Sequence, residues 1–439
     1  MITGKLLVAN RGEIATRICR AAAELDLPTV AIHPEDDAAS LHSRKADQTC
    51  LLPGRGVAAY LDGDAIIAAA RESGATAVHP GYGFLSENSD FARACAAAGL
   101  IFVGPAPETL ALFGDKGAAR QLAVEQAVPV LPGTAAPSSL EEARAFLADL
   151  GPGGAVMVKA VAGGGGRGMR PVLNDGDLEE AFTRASSEAA AGFGNGELFV
   201  ERLVRRARHI EIQIMGDGRA VSHLWERDCS LQRRRQKLVE LAPAPGLKPA
   251  LRDQLIDAAL RLGGAADYLN LGTVEFLLDG DSGEFFFIEA NPRLQVEHTV
   301  TEEITGLNLV ELQLQLAGGQ SLEELGLSRE NVPAPRGIAL QLRINTETMG
   351  ADGEARPGGG TITAFEAPSG RGIRVDSYGY VGYQTSPAYD PLLAKLIVHT
   401  GSGRLGDIMN KGYRALCEFH IAGLPTNLSF LQALMCDDA

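Results

Sequence analysis

The chain has 439 residues, 45% of them hydrophobic and 22% charged, which is typical of a soluble globular protein with two or three domains. Its formal net charge of −15 argues against a general affinity for nucleic acid or anionic membranes, because both are bound largely through lysine and arginine. Any site for an anionic ligand must therefore be a local cationic pocket.

The six cysteines are scattered without CxxC spacing, a pattern typical of buried thiols in a reducing compartment. No apolar run approaches the ~20 residues of a membrane span, and the opening segment MITGKLLVANRGE lacks the build of a signal peptide. We therefore expect a cytoplasmic protein that binds neither membranes nor nucleic acid.

Short apolar runs alternate with amphipathic helical patterns over about the first 110 residues: KLLVAN, EIATRICRAAAEL, PTVAIHP, DAIIAAARESG, AVHPG, FARACAAAG and IFVGP. This order predicts right-handed βαβ units and a parallel sheet, in which ligands collect at the carboxyl ends of the strands. ANRGEIA lies where a dinucleotide fingerprint would lie, but it lacks GxGxxG, so we predict no nicotinamide site.

A glycine cluster follows in VMVKAVAGGGGRGM, residues 156–169, directly after Lys159 in an apolar run. A buried lysine needs an anionic partner, and glycines let backbone N–H groups approach phosphate oxygens. We interpret the segment as a flexible phosphate-binding flap that differs from Walker A, with a mobile hairpin and a solvated lysine as the alternative. Lys116, at the start of a predicted helix, would by itself count as a surface residue.

The next segment, RHIEIQIMGDGRAVSHLWERD, alternates strictly and predicts a strand. Its isoleucines, Ile210, Ile212 and Ile214, share one face, and His209, Glu211 and Gln213 share the other. A basic run, ERDCSLQRRRQK, comes directly after it and holds Arg227, Arg233, Arg234, Arg235 and Lys237. Such a run is either a solvated face or the anion pocket that the overall charge requires.

Two apolar runs flank the turn signal DGDSGE in GTVEFLLDGDSGEFFFIEANPR and predict a hairpin. A turn centred on Ser282 places Glu275 opposite Glu289 with Cβ atoms ~5 Å apart, where like charges repel. Asn291 shares their face, and a hard divalent cation between these groups would make the arrangement tolerable. The alternative is a register slipped by one residue, with one glutamate in solvent.

The loop after this strand concentrates polar side chains, namely Arg293, Gln295, Glu297 and His298. A carboxylate beside a fixed guanidinium can hold a small oxyanion and take its proton. Further along, IALQLRINTE alternates so that Gln341, Arg343 and Asn345 share a polar face, which makes Arg343 a second fixed cation.

These motifs together resemble the biotin carboxylases of the ATP-grasp superfamily over nearly the whole chain. The matching segments occur in the family's order: ANRGEIA, HPGYGFLSEN, DK at 115 and 116, VKA with its glycine flap, ERDCSLQRR, APAPG, EANPRLQVEHTVTE and LRIN. Carbamoyl-phosphate synthetases share the ATP-grasp core, but their metal strand continues differently after NPR. An ATP-grasp ligase of that type is one alternative, and a catalytically silent nucleotide-binding subunit is another.

The resemblance implies an α/β protein with an ATP-grasp fold. We expect an N-terminal Rossmann-like parallel-sheet domain at 1–114, an ATP-grasp domain at 115–332 whose mobile glycine-rich lid spans about 133–203, and a C-terminal β-rich domain at 333–439. The implied activity is ATP- and bicarbonate-dependent carboxylation of biotin, carried by a biotin carboxyl carrier domain and passed to a carboxyltransferase. The sequence holds no MKM motif, so we expect a free subunit or the leading piece of a longer chain, with a homodimer possible.

The resemblance also assigns residues by function. The implied ATP contacts are Lys116, Lys159, Gly164, Gly165, Gly166, Met169, Glu201, Arg202, Leu203, His209, Gln232, Arg235, Gln236, Leu278 and Glu289. Two Mg²⁺ or Mn²⁺ ions would bind Glu275, Glu289 and Asn291. The bicarbonate pocket would be Lys237, Arg293, Gln295 and Val296.

For the chemistry itself, the resemblance makes Glu297 the base and Arg343 the stabiliser of an enolate-like biotin oxyanion, with Lys237 and Arg293 completing the catalytic set. Tyr82 would shape the biotin site. Three positions depart from the commonest pattern of the family: Arg235 replaces a frequent histidine, Leu241 replaces a frequent glutamate, and Gln341 lies in an altered strand.

Overall fold

The computed structural model describes residues 2–161, 168–350 and 353–437. Its N-terminal part is a parallel sheet in the order β3-β2-β1-β4-β5, as the alternating pattern predicts. The strands are β1 (Lys5–Val8), β2 (Thr29–His33), β3 (Gln48–Leu51), β4 (Ala75–His79) and β5 (Ile101–Phe102). The helices are α1 (Gly12–Glu24), α2 (Gly56–Tyr60), α3 (Gly63–Ser73), α4 (Ser89–Ala97) and α5 (Pro107–Gly114).

A smaller unit follows, built from a three-stranded antiparallel sheet and two helices. Its elements, after α6 (Lys116–Glu125), are α7 (Leu140–Asp149), β6 (Val156–Ala160), β7 (Met169–Val172), α8 (Leu178–Phe193) and β8 (Leu198–Arg202), with sheet order β7-β6-β8. The unit has a hydrophobic core of its own, and the buried residues in that core all lie between Ala143 and Val200. A capping box of Ser139 and Glu142 begins α7.

Most of the remaining chain contributes to one large sheet or packs on it. The strands are β9 (Ala207–Asp217), β10 (Val221–Arg233), β11 (Gln236–Ala242), β12 (Leu269–Asp279), β13 (Phe285–Asn291), β14 (Ile338–Asn345), β15 (Glu347–Met349), β16 (Ala355–Pro357), β17 (Ala364–Glu366), β18 (Ile373–Ser377), β19 (Leu392–Thr400) and β20 (His420–Ala422). The helices are α9 (Pro249–Ala265), α10 (His298–Thr305), α11 (Leu309–Ala317), α12 (Leu405–Glu418) and α13 (Leu428–Met435).

The large sheet has eight strands in the order β13-β12-β9-β10-β11-β14-β19-β18. It therefore continues across the Pro-rich joint PAPRG at 333–337, where the expected C-terminal domain begins. The continuity arises because β11 and β14 pair antiparallel, with Glu240 opposite Gln341. Polar residues from both sides of the joint consequently meet on one surface.

Within the described residues, no helix combines the length and the apolar character needed to cross a membrane. All six cysteines are free. Cys19, Cys95 and Cys229 are buried as expected, but Cys417 and Cys436 are exposed, so the prediction of buried thiols is wrong for these two.

Candidate active site

The hairpin of β12 and β13 places Glu275 directly opposite Glu289, which is the pairing that the sequence predicts. The structure achieves this pairing through an irregular register and not through the regular turn expected at Ser282. Near the turn the register pairs Leu278 with Phe285 and Phe276 with Phe287, which alone would set Glu275 against Ile288. A β-bulge between Glu275 and Phe276 shifts the register by one residue and restores the facing glutamates.

The carboxylate of Glu275 is surrounded by donors. It lies 2.5 Å from His209 Nε2, and it accepts hydrogen bonds from Asn291 Nδ2 at 2.8 Å, Lys237 Nζ at 2.9 Å and Gln295 Nε2 at 2.9 Å. Burial alone would raise the pKa of Glu275, but the charges of Lys237 and His209 lower it well below its usual value. Glu275 is therefore ionised and already compensated.

The pKa of Glu289 shifts in the opposite direction from that of Glu275. Burial and the charge of Glu275 raise the pKa of its carboxyl. No residue in the described ranges donates a hydrogen bond to this carboxylate, and Lys116 is the cation that most lowers its pKa. A pocket of about 120 Å³ opens beside it, lined by Glu87, Lys116, Asn291 and neighbouring apolar residues.

The two facing carboxylates suit a hard divalent cation, because the charge of Glu275 raises the pKa of Glu289 and a cation between them would offset this repulsion. Asn291 is oriented with its amide nitrogen on Glu275 and its oxygen 3.1 Å from Arg293 Nη2. Coordination through the Asn291 oxygen would thus require the amide to turn over.

Lys237 is the centre of the site. Its ammonium lies 2.7 Å from Glu211, 2.9 Å from Glu275 and 2.8 Å from Glu297. Burial would lower the pKa of this lysine, but the three carboxylates raise it well above the usual value. Lys237 thus remains a cation and links the hairpin to the loop after β13.

Glu297 lies between two cations, with one carboxylate oxygen on Lys237 and the other 3.0 Å from Arg343 Nη2. The side chain is 3% exposed. Burial would raise its pKa, but Lys237 and Arg343 lower it far below the usual range. Arg343 is itself fixed by Glu240, whose carboxylate accepts from Arg343 Nε at 2.6 Å and from Gln341 Nε2 at 2.9 Å.

Arg227 is the principal polar residue for which the sequence predicts no specific role. Its guanidinium is fully buried, forms an ion pair with Glu211 and donates to Gln213 at 2.8 Å and Gln295 at 2.8 Å. Further bonds go to Thr301 at 3.0 Å and Thr273 at 3.1 Å. Arg227 therefore fixes Gln295 so that its amide nitrogen faces Glu275.

The basic run is neither a solvated face nor a single pocket, because β10 and β11 distribute its members. Arg227 and Lys237 point into the site, whereas Arg233 forms a bidentate ion pair with Glu347 at 2.6 and 3.0 Å. Arg234 and Arg235 form the hairpin tip with φ of +47° and +69°. Both are left-handed conformations that glycine or asparagine favours, which is why the sequence does not indicate a tight turn here.

Arg235 extends from this tip toward the small unit. Its Nη1 donates to the carbonyl of Met169 at 3.1 Å, and its Nη2 lies 3.7 Å from the sulfur of Met157. The hairpin is thereby joined to β6 and β7, next to the glycine cluster. Gly164, Gly165 and Gly166 lie outside the described residues.

Lys159 lies on β6 as predicted, and its anionic partner within the protein is Glu201 on β8. In the segment after Glu201, Arg202 stacks over Phe286, with its guanidinium carbon 4.8 Å from the ring centroid. The N–H of Leu203 donates to the carbonyl of Ala155 at 2.8 Å. No described residue accepts from the N–H of Val204, which is 7% exposed.

The other predicted nucleotide contacts lie on α6, β9, β10, β11 and β12. Lys116 begins α6 after the cap residue Asp115. Gln232 bonds the ring of His209 at 3.1 Å, Gln236 is exposed beside the Arg234–Arg235 turn, and Leu278 is buried on β12.

Tyr82 and Val296 lie on the N-terminal side of the site. The Tyr82 hydroxyl bonds Glu13 at the start of α1, and the Val296 carbonyl accepts from Lys395 Nζ at 3.1 Å. Arg293 forms an ion pair with Glu87 at 2.8 Å. No sequence pattern assigns a role to Glu13, Glu87 or Lys395.

Comparisons with known proteins match most of the chain in three segments. Residues 2–110 match the family "Biotin carboxylase, N-terminal domain", and residues 341–439 match the "Biotin carboxylase C-terminal domain". Residues 115–325 match the "Carbamoyl-phosphate synthase L chain, ATP binding domain". A biotin carboxylase domain of a single-chain bacterial carboxylase is 50% identical with a TM-score of 0.89, and the match covers 99% of this chain and 94% of that one.

The chain belongs to the biotin carboxylase family. A second solved relative is the biotin carboxylase domain dimer of Hydrogenobacter thermophilus 2-oxoglutarate carboxylase, in complex with MgADP, ADP and bicarbonate. It is 39% identical with a TM-score of 0.91, over 99% of this chain and 94% of that chain. The predicted family and fold class are thus confirmed, and the carbamoyl-phosphate synthetase alternative is disfavoured.

The Aspergillus terreus pyruvate carboxylase is 47% identical over 438 residues, which is 98% of this biotin carboxylase chain but 36% of that protein. The chain thus spans about a third of the length of the curated relatives it matches. The predicted class, an ATP-dependent carboxylating ligase component, agrees with these relatives.

Proposed function

We propose that the chain carboxylates biotin in an ATP- and bicarbonate-dependent reaction, the first half-reaction of a biotin-dependent carboxylase. The observation that carries the proposal is the position of Glu297 between Lys237 and Arg343, next to the facing pair Glu275 and Glu289. A base, two fixed cations and a divalent-cation site lie on adjacent elements.

Bicarbonate binds among Lys237, Arg293, Gln295 and the main chain of Val296. The anion competes for Lys237, and this raises the basicity of Glu297, which then takes the bicarbonate proton. A bicarbonate oxygen attacks the γ-phosphorus of ATP, the bond to the β-phosphate oxygen breaks, and carboxyphosphate and ADP form. Carboxyphosphate then splits into CO₂ and phosphate.

The nucleotide occupies the cleft between the small unit and the large sheet. Lys116, Lys159 and the glycines at 164–166 contact its phosphates, with Arg235, Gln232, Gln236, His209, Met169 and Leu278 around the rest of the molecule. The adenine ring lies against residues 201–203, and the unbonded N–H of Val204 adds a donor there. Glu275, Glu289 and Asn291 would hold two Mg²⁺ or Mn²⁺ ions, which neutralise phosphoryl charge when bound.

Biotin binds on the opposite side of Glu297, beside Tyr82 and Arg343. The phosphate released from carboxyphosphate takes the ureido N1′ proton, and the nitrogen attacks CO₂. Arg343, held by Glu240, stabilises the negative charge that develops on the ureido oxygen.

We infer that biotin is delivered by a carrier domain and passed to a carboxyltransferase, in the same longer chain or in a separate subunit. The greater length of the curated relatives supports such partners, and the dimeric relative supports a homodimer. The boundaries 1–114, 115–332 and 333–439, with the lid at about 133–203, are part of this proposal. A cytoplasmic location is also part of this proposal, and the free cysteines favour it.

ADP release measured with bicarbonate, with and without free biotin, tests the activity. The proposal expects ATP cleavage that depends on bicarbonate and increases with biotin. ATP cleavage that does not depend on biotin but requires carbamate would instead establish a carbamoyl-phosphate synthetase type of ligase. Tight binding of MgATP without turnover would establish a silent nucleotide-binding subunit.

A further inference from the structure

Lys395 is a fully buried lysine that none of the steps above employs. It lies on β19 with 0% exposure, and its Nζ has two described partners, the carboxylate of Glu13 at 3.1 Å and the carbonyl of Val296 at 3.1 Å. An isolated buried ammonium is costly, and replacing a buried ion pair by apolar groups is often neutral or stabilising. Stability alone therefore does not account for a lysine in this position.

The register of the large sheet explains where Lys395 acts. β14 and β19 pair antiparallel with Arg343 directly opposite Lys395, so both side chains leave the sheet on the same face. Arg343 bonds the side chain of Glu297, and Lys395 bonds the carbonyl of the preceding residue, Val296. Two neighbouring cations thus hold two consecutive residues of the loop.

The other partner of Lys395 is Glu13, which also contacts Tyr82, the residue proposed to lie beside biotin. Glu13, 3% exposed at the start of α1, accepts from Lys395 and from the Tyr82 hydroxyl through the same oxygen, Oε1. The second oxygen, Oε2, is buried and has no hydrogen-bond partner among the described residues. Among the residues that the structure describes, the Glu13 carboxylate is thus held by these two contacts alone, and it links Lys395 to Tyr82.

We propose that Lys395 and Glu13 are positioning residues that couple the bicarbonate loop to the biotin site. Lys395 fixes the Val296 main chain, and Glu13 fixes Tyr82 relative to the same ammonium. The inference rests on the proposed function, since it concerns the two substrates of that reaction.

The test is steady-state kinetics of the full 439-residue chain with MgATP, bicarbonate and free biotin, combined with thermal unfolding. Lys395→Met retains the length of the side chain but removes its donors. We expect KM for bicarbonate and KM for biotin each to rise about tenfold, the size of effect of one lost charge-assisted hydrogen bond, while KM for ATP stays within about twofold. Lys411→Met is the matched control, because Lys411 also donates to a backbone carbonyl, that of His399, away from the site.

The double variant Glu13→Gln/Lys395→Met separates positioning from stability. Lys395→Met alone leaves Glu13 as an uncompensated buried carboxylate, and the double variant removes that charge, so its Tm should recover toward the wild-type value. Its KM for bicarbonate should remain about tenfold raised, because Val296 still lacks its donor. Recovery of KM together with Tm would overturn the inference, as would an unchanged KM in Lys395→Met.

Tyr82→Phe provides an independent measurement if Lys395→Met does not fold. It should raise KM for biotin and leave KM for bicarbonate unchanged, and an equal effect on both would contradict the proposed arrangement. A wild-type chain without bicarbonate-dependent ATP cleavage would overturn the proposed function as well as the coupling, whereas an active wild type with unaffected variants would overturn the coupling alone.

Discussion

The ammonium of Lys237 lies 2.8 Å from the carboxylate of Glu297, and this contact joins the metal hairpin to the base. The same ammonium bonds Glu275 at 2.9 Å, so a charge change at either glutamate alters the environment of the other.

Glu297→Gln should remove bicarbonate-dependent ATP cleavage by about 10²-fold or more, the usual contribution of a general base. ATP affinity should stay nearly the same, because Glu297 contacts Lys237 and Arg343 and neither the Lys116 nor the Lys159 side of the cleft. Initial rates and equilibrium binding of a fluorescent ATP analogue measure the two quantities. A large loss of ATP affinity would place Glu297 in the nucleotide site instead.

Glu289→Gln should weaken divalent-cation binding about tenfold or more in the presence of ADP, measured by the electron paramagnetic resonance of free Mn²⁺. The metal-free variant should be as stable as wild type or more so, because repulsion from Glu275 is removed. Glu284→Gln, on the same hairpin but 3.2 Å from Arg202, is the control and should leave Mn²⁺ binding unchanged. Equal Mn²⁺ affinity in both variants would refute the proposed ligand.

Gln341→Glu should add a pH dependence to the free energy of unfolding. The substituted carboxyl would face Glu240, which is fully buried and whose own pKa burial already raises. A carboxyl whose pKa is higher in the folded state than in the unfolded state binds more protons in the folded state. The free energy of unfolding should therefore decrease as pH rises through the folded-state pKa. We expect the free energy of unfolding to fall by roughly 1–3 kcal/mol between pH 5 and pH 8 relative to wild type. Gln341→Met should show no such pH dependence.

Arg235→Gly should relieve the left-handed backbone of the β10–β11 turn and increase stability by up to about 1 kcal/mol, while it raises KM for ATP several-fold. Arg234→Gly changes the same turn, but the Arg234 guanidinium pairs with Glu354 on the other side. It should share the stability gain without the change in KM. If both variants had the same KM, the proposed nucleotide contact of Arg235 would be incorrect.

His42 should make the N-terminal sheet sensitive to acid. Burial lowers the pKa of its imidazole to about 4, and its ring nitrogens bond Ser40 Oγ at 3.0 Å and the Ile32 carbonyl at 3.1 Å. Between pH 6.5 and 4 the unfolded chain binds the extra proton, so up to roughly 3 kcal/mol of stability is lost as pH falls through this window. Urea unfolding of His42→Gln should depend less on pH there, whereas His420→Gln, at an exposed position, should behave as wild type.

Strictly alternating segments were predictable from the sequence because their period fixes which side chains share a face. The His209 strand and β14 are of this kind, whereas the parallel N-terminal sheet and the β12–β13 hairpin were predictable from apolar runs separated by helical patterns or by a turn signal. The bulge beside Glu275 was not predictable, because adding one residue to a ladder leaves no compositional signal. The facing glutamates were therefore inferred from a simpler turn than the one that produces them.

Long-range pairing was the part that the sequence did not indicate. Arg227 reads as one member of a basic run, and only the crossing of β9, β10 and β12 surrounds it with Glu211, Gln213 and Thr273. Likewise, Glu240 and Arg343 are distant in the chain, and they meet because β11 pairs with β14. Such contacts depend on sheet order, which local patterns do not encode.

The continuous eight-stranded sheet has a consequence for any attempt to divide this protein. Cutting the chain at the Pro-rich joint would remove β14, β18 and β19 and leave β11 with unpaired N–H and C=O groups along its length. The resulting fragment would expose an apolar edge and aggregate. The small unit from α7 to β8, whose core is its own, is the part that could be excised or exchanged without opening a ladder of the large sheet.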